Sequence, residues 1–284
     1  MPELPEVETV RTGLEQSLVG RRFDRVEARR PDLRFPIPTD LATRLQGHRV
    51  LRVNRRAKYL QIIIDDNSAD RTVVILHLGM SGRVNLMPAP DAGPHADLLK
   101  HDHLVFDLDD GARMVFNDPR RFGFIALSRE SALDDHDYFK DMGPEPLGNA
   151  FNAEILSQAL KDKDTPIKAA LLDQRVVAGL GNIYVCEALY DAGISPKRKA
   201  RTIAGLRADR LVPAIKDVLQ RAIAAGGSTL RDFAQLDGQS GYFQHSFRVY
   251  GREGEACLSP GCDKVVKRIT QSGRSTFYCS SCQR

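Results

Sequence analysis

Apolar residues recur at Val7, Val10, Leu14 and Leu18, a spacing that places them on one face of a helix over 5–19. Gly20 follows, a residue suited to ending a helix through a left-handed backbone. Beyond it the period shortens to two and β-branched residues take over. That change predicts strands over 22–29, 49–54, 59–64, 72–78, 83–87, 103–108, 112–116 and 122–128. Asp110-Gly111, between two of these runs, is a strong hairpin signal. Short strands separated by turn residues, with one helix beside them, imply an antiparallel sandwich or barrel.

Near residue 134 the chain turns acidic, then passes through Gly143-Pro144-Glu145-Pro146-Leu147-Gly148, a stretch suited to a linker. Helical signals follow. Asn152 is placed to cap a helix carrying Ile155, Leu156, Ala159 and Leu160, and Thr165-Pro166 reads as a cap followed by proline at the first helical position. After the turn Gly179-Leu180-Gly181, Asn182 is expected to cap the next helix. Leu211, Ile215, Val218, Leu219 and Ala222 share a face of a longer helix, which Pro213 is expected to start or bend. A glycine-rich stretch at 237–242 is expected to be mobile, and the last 35 residues read as short strands around cysteines. The implied division is a domain over 1–133, a linker over 134–150, a helical domain over 151–247 and a small cysteine-bearing domain over 248–284.

Composition narrows the class. With 42% hydrophobic and 27% charged residues, and no apolar run near the ~20 residues that span a bilayer, a soluble globular protein without a membrane partner is expected. The sequence does not open on a basic segment and an apolar core, so the expected location is the cytoplasm. Net charge is +4 but uneven: residues 197–284 carry 16 Lys and Arg against 7 Asp and Glu, a net +9, leaving −5 for the rest. A basic final third points to a face that meets a polyanion, a merely solvated surface being the plain alternative.

Four of the five cysteines, Cys257, Cys262, Cys279 and Cys282, follow the spacing C-x4-C-x16-C-x2-C. Two tight knuckles delivering four thiolates suit one tetrahedral Zn²⁺, closed to water and therefore structural. Cys186 stands alone and reads as a buried small hydrophobe. At the other end, Pro2 follows the initiator methionine. Removal of Met1 would leave a secondary amine of pKa ~8 beside the Glu3 carboxyl. Such an amine can form a Schiff base while the carboxyl moves protons; an ordinary disordered terminus is the competing reading. Lys58 opens an apolar strand, suited to proton transfer or phosphate binding if that strand end lies near Pro2, and otherwise to solvent. Asn117-Asp118-Pro119-Arg120-Arg121-Phe122-Gly123 is an arginine-rich loop tipped by an aromatic, and Met80 sits in the turn Gly79-Met80-Ser81-Gly82. Apolar wedges beside arginines are groups that open a base stack, although each alone also fits core or surface filler. The helix–turn–helix over 165–193, with Lys168 on its first helix, offers N–H groups suited to phosphate.

Together, Pro2-Glu3-Leu4-Pro5-Glu6-Val7-Glu8, residues 55–60, His77-Leu78-Gly79-Met80-Ser81-Gly82, Lys100-His101-Asp102-His103, residues 118–123, Gly181-Asn182-Ile183-Tyr184 and the terminal cysteines resemble the bacterial formamidopyrimidine-DNA glycosylase family over essentially the whole chain. The resemblance implies an α+β fold: an N-terminal antiparallel β-sandwich with a long N-terminal helix, then a helical helix–two-turn–helix domain ending in a four-cysteine zinc finger. It implies a monomeric bifunctional DNA glycosylase and AP lyase. The partner would be double-stranded DNA containing oxidised purines, such as 8-oxoguanine and formamidopyrimidines, or abasic sites. In that reading Pro2 attacks the sugar C1′, Glu3 is general acid and base, Lys58 assists β-elimination and Arg274 assists δ-elimination. His101, Arg120, Lys163, Lys168 and Asn182 would meet the DNA backbone. Met80, Arg120 and Phe122 would fill the gap left by a flipped nucleotide, and 237–242 would fold over the extruded base. The first knuckle departs from the commoner family pattern, with four residues between its cysteines where that pattern has two. A related branch acting on oxidised pyrimidines, a non-catalytic zinc-finger protein and an RNA-associated module are the competing readings.

Overall fold

The computed structural model describes residues 2–228 and 241–284; of the stretch 237–242, residues 237–240 lie outside the described residues. The chain forms two compact units, Met1–Lys140 with Gly226–Tyr242, and Asp141–Ala225 with Phe243–Arg284. The division falls within the acidic stretch 134–150, and the cysteine region groups with the helical region rather than by itself. Among the described residues no helix is long and apolar enough to cross a membrane.

In the first unit, α1 (Leu4–Leu18) opens on a capping box in which Glu6 accepts the Glu3 N–H at 2.9 Å and Glu3 accepts the Glu6 N–H in return. Its stripe of Val7, Val10, Leu14 and Leu18 is buried, and the chain leaves through Gly20 at φ +82. All eight expected strands form: β1 (Phe23–Ala28), β2 (Arg49–Arg56), β3 (Tyr59–Asp65), β4 (Thr72–His77), β5 (Arg83–Met87), β6 (Asp102–Leu108), β7 (Arg113–Asn117) and β8 (Phe124–Arg129). A helix of five residues, α2 (Leu41–Leu45), was not expected, because so short a run shows no period. The strands make two antiparallel four-stranded sheets, ordered β1-β6-β7-β5 and β2-β3-β4-β8. Leu60, Ile62, Val74 and Leu76 from one sheet and Leu104, Phe106, Met114 and Phe116 from the other join the α1 stripe in one core. The arrangement is a sandwich, with α1 packed against β2 and β3 and its stripe joined to the apolar interior.

The second unit begins with α3 (Ala153–Leu160), where the Asn152 side chain accepts the Ile155 N–H at 3.0 Å as expected of a cap. In α4 (Ile167–Leu171) Pro166 is itself the cap, one position later than Thr165. In α5 (Asn182–Asp191) the cap is Gly181, so Asn182 is the first helical residue and its side chain is directed elsewhere. The last long helix, α6 (Leu206–Ala224), begins seven residues before Pro213 and carries it inside instead of starting there. An interior proline costs ~3 kcal/mol. Leu211, Ile215, Val218, Leu219 and Ala222 are all buried, and each large apolar side chain returns roughly 1.5–3 kcal/mol, so packing outweighs the defect. This face lies on α5 and α3. The unit ends in an antiparallel hairpin, β9 (Lys267–Gln271) and β10 (Arg274–Tyr278), with β10 against α5.

Candidate functional site

In the first unit Pro2 is buried, and Glu3 and Glu6 are 2% and 1% exposed. Glu6 acts as a clamp. One carboxylate oxygen holds the Glu3 N–H, and the other accepts the Ser228 N–H at 2.8 Å and its hydroxyl at 2.9 Å. The peptide joining Pro2 to Glu3 is therefore held at the head of α1. Gly227, at φ +80, makes this approach possible, since a Cβ there would meet the Glu6 side chain at 3.1 Å. In the sequence, Glu6 is marked only by its capping-box spacing from Glu3.

Lys58 lies in the turn between β2 and β3 and is 9% exposed. Arg55 ties this turn to α1, with Nε 2.6 Å from the Glu8 carboxylate and Nη1 donating to the Ala57 carbonyl at 2.9 Å. Ala57 has φ +53, a conformation costing roughly 1–2 kcal/mol without glycine, so the turn is held by its surroundings. His77 pairs with Tyr59 across β3 and β4, the rings 4.8 Å apart, and stacks on Phe124 at 5.2 Å. Burial, followed by the charges of Lys58 and Arg34, pushes its imidazole down to about 4. His77 is thus neutral at pH 7. Nδ1 accepts the Gly79 N–H at 3.1 Å, which leaves the proton on Nε2. His77 belongs to one of the family-like stretches, but its sequence neighbours assign it no role.

The loop after β7 and the turn after β4 form one assembly around Asp118, a fully buried carboxylate. It accepts the Ser81 hydroxyl at 2.6 Å and the Gly123 N–H at 2.7 Å, while the Arg120 N–H reaches the Ser81 oxygen at 3.2 Å. Gly79, at φ +67, allows the two segments to touch: a Cβ there would lie 2.3 Å from the Gly123 nitrogen. Met80 is partly exposed, Phe122 is 43% exposed, and the Arg120 guanidinium sits 4.9 Å over the Phe122 ring. The structure thus brings Met80, Arg120 and Phe122 onto one pinned pair of loops. His101, half-buried, joins through its carbonyl, which accepts the Asp118 N–H at 3.0 Å. Sequence gives Asp118 no distinct role, because its Ser81 partner is contributed by another turn.

In the second unit, Lys168 and Asn182 converge on β10. Lys168 is fully buried, its ammonium donating to the Ser275 carbonyl at 3.1 Å and the Thr276 hydroxyl at 2.8 Å. The Asn182 amide donates to the same carbonyl at 3.0 Å and to the Tyr250 hydroxyl at 3.4 Å. Both side chains expected at phosphate are engaged in this structure by the strand that starts with the exposed Arg274. Glu187, 1% exposed, gathers the N–H groups of Arg248, Val249 and Tyr250 at 2.8–3.0 Å. Burial pushes its carboxyl up, against the pull of those three bonds. Lys163, half-buried, lies in the turn after α3, where its carbonyl accepts the Arg201 N–H at 2.9 Å.

The sulfurs of Cys257, Cys262, Cys279 and Cys282 all lie within 4.8 Å of one another, with Cys257–Cys282 and Cys262–Cys279 each at 3.7 Å. Metal–sulfur bonds of about 2.3 Å in a tetrahedron require sulfurs roughly 3.8 Å apart, so the donor set and its spacing fit Zn²⁺. Cys186 is buried among the same side chains.

Residues 1–125 match the formamidopyrimidine-DNA glycosylase N-terminal domain and residues 142–234 the H2TH domain of the same enzymes. Formamidopyrimidine-DNA glycosylases of Ruegeria pomeroyi and Rhodospirillum centenum are 57% and 58% identical to the chain, with all of each sequence covered. Among solved structures, a Lactococcus lactis FPG mutant G226P in complex with Fapy-dG-containing DNA superposes with TM-score 0.88 at 35% identity over the full length of both chains. The MutM (FPG) protein of Thermus thermophilus gives 0.84 at 38% identity, covering 99% of this chain and 98% of its own. The chain belongs to the formamidopyrimidine-DNA glycosylase family.

Proposed function

We propose that this chain is a bifunctional DNA glycosylase and AP lyase that removes oxidised purines, 8-oxoguanine and formamidopyrimidines, from duplex DNA and then cuts the strand. The observation that carries this reading is the buried Pro2–Glu3 pair at the head of α1, held by the Glu6 clamp. Relatives bearing the glycosylase name over the full length, and a Lactococcus lactis relative bound to abasic-site DNA, support it.

Removal of Met1 exposes the Pro2 amine. Its nitrogen bonds to C1′ as the glycosidic bond breaks, and the base leaves with that electron pair and a proton. Glu3 protonates O4′ as the sugar ring opens, giving an iminium between Pro2 and C1′. The iminium acidifies the C2′ proton; its loss, assisted by Lys58, expels the 3′-phosphate. A second elimination, assisted by Arg274, expels the 5′-phosphate. His101, Arg120, Lys163, Lys168 and Asn182 serve the DNA backbone, Lys168 by fixing the strand behind Arg274. Met80 and Phe122 offset part of the few kcal/mol of unstacking. The four cysteines would hold Zn²⁺, which supplies a covalent cross-link for the finger and no reaction step.

The test is borohydride trapping of Met1-free protein on duplex DNA carrying 8-oxoguanine opposite cytosine. A covalent protein–DNA species is expected, and its absence overturns the covalent mechanism. Glu3→Gln should bind the same duplex with wild-type affinity and excise about 10²–10⁴-fold more slowly, as loss of a positioned acid–base group costs.

A further inference from the structure

The cysteine cluster has an outer partner on α5. Tyr190, 4% exposed in the last turn of that helix, places its hydroxyl 3.2 Å from the Cys257 sulfur and 2.8 Å from the Ser259 hydroxyl. Ser259 belongs to the first knuckle, inside the enlarged spacing between Cys257 and Cys262. The Tyr190 ring has a fixed seat: the Arg248 guanidinium lies 4.8 Å over it and bonds Asp191 at 2.9 Å. A metal-bound thiolate carries no proton and only accepts. For both contacts to be made, Tyr190 donates to sulfur and accepts from Ser259.

We propose that Tyr190 is an outer-sphere ligand of the metal centre, completed by Ser259 as a hydroxyl relay onto the Cys257 thiolate. Four thiolates around one Zn²⁺ leave a formal charge of about −2. Cys257 and Cys279 are buried, so that charge is only partly relieved by water. A phenol donating to sulfur relieves more of it, and groups in this position govern metal retention by about 10–100-fold. The longer knuckle has a function in this arrangement, because it brings the Ser259 hydroxyl under the tyrosine.

The inference rests on the zinc assignment, and the experiment separates the two. Full-length wild type, Tyr190→Phe and Ser259→Ala are loaded with one zinc, and metal transfer to a colorimetric chelator is timed. Tyr190→Phe keeps the ring and its arginine and loses only the hydroxyl. It should release zinc at least about tenfold faster, Ser259→Ala by a smaller factor, and the double variant no faster than Tyr190→Phe. With Co²⁺ in place of zinc, the sulfur-to-metal charge-transfer band of Tyr190→Phe should move to longer wavelength. Release within about twofold of wild type, with superimposable cobalt spectra, overturns the outer-sphere role while leaving the metal site intact. Wild type that retains no metal overturns both. If Tyr190→Phe does not fold, the Ser259→Ala release rate and spectrum decide alone, an unchanged pair counting against the relay.

Discussion

Arg120, on a loop of the first unit, and Arg274, at the start of β10 in the second, are both exposed arginines, yet they are supported in opposite ways. Arg120 stands on a loop whose Asp118 anchor lies beside a large apolar core shared by two sheets and α1. Arg274 stands on a hairpin whose apolar cluster includes the cysteines themselves, with Tyr190, Val249, Val266 and Phe277. That cluster is small, and long-range polar ties supplement it: Lys168 to Ser275 and Thr276, Asn182 to Ser275, Glu187 to residues 248–250, beside four cysteines whose spacing fits a metal. A loop can be rigid because the core beneath it is rigid, or because cross-links make up for a core that is missing.

The largest expected effect breaks the second unit alone. Stripping the metal removes on the order of 10 kcal/mol of folding energy from a thiolate finger. Amides of β9 and β10 should lose hydrogen-exchange protection while those of β3 and β4 keep theirs, and duplex affinity should fall at least about 100-fold as the hairpin's arginines are lost. A metal-free hairpin that stays protected would show that its core suffices after all.

The next probes the first unit through pH. His77 has a folded pKa of about 4, below the unfolded ~6.5, so the unfolded chain binds more protons between these values. Its contribution is complete above about pH 6.5 and is lost as pH falls toward 4, by up to about 3 kcal/mol. His77→Gln, which keeps an acceptor for the Gly79 N–H, should flatten the fall of Tm over that window relative to wild type. Parallel curves would mean the imidazole titrates normally.

The smallest sharpens the support of Arg120. Asp118→Ala leaves the Ser81 and Gly123 donors without an acceptor and should cost about 2–3 kcal/mol by denaturant unfolding, with Asp118→Asn recovering part of it. Zinc content should not change. Loss of zinc in Asp118→Ala would contradict the separate support of the two arginines.

Local physics wrote much of this protein into its sequence. The period of three to four in α1, the β-branched runs of the eight strands, the Asp110-Gly111 hairpin and the cysteine spacing each depend on neighbours along the chain, and each element is found where its pattern placed it, although β3, β4 and β6 are buried almost throughout rather than alternately. The Asn152 cap was legible for the same reason. Tertiary structure decided what depends on partners far away. Glu6 became a clamp through Ser228, Asp118 a hub through Ser81, and Lys168 a buried tie through Ser275. Pro213 lies inside α6 because burial of one face outweighed its missing N–H, a balance set by α3 and α5 rather than by the residues beside it. Periodicity records which face of an element is buried, but it carries no information about which distant polar group a buried side chain will meet. That pairing exists only once burial makes an unsatisfied donor or acceptor costly.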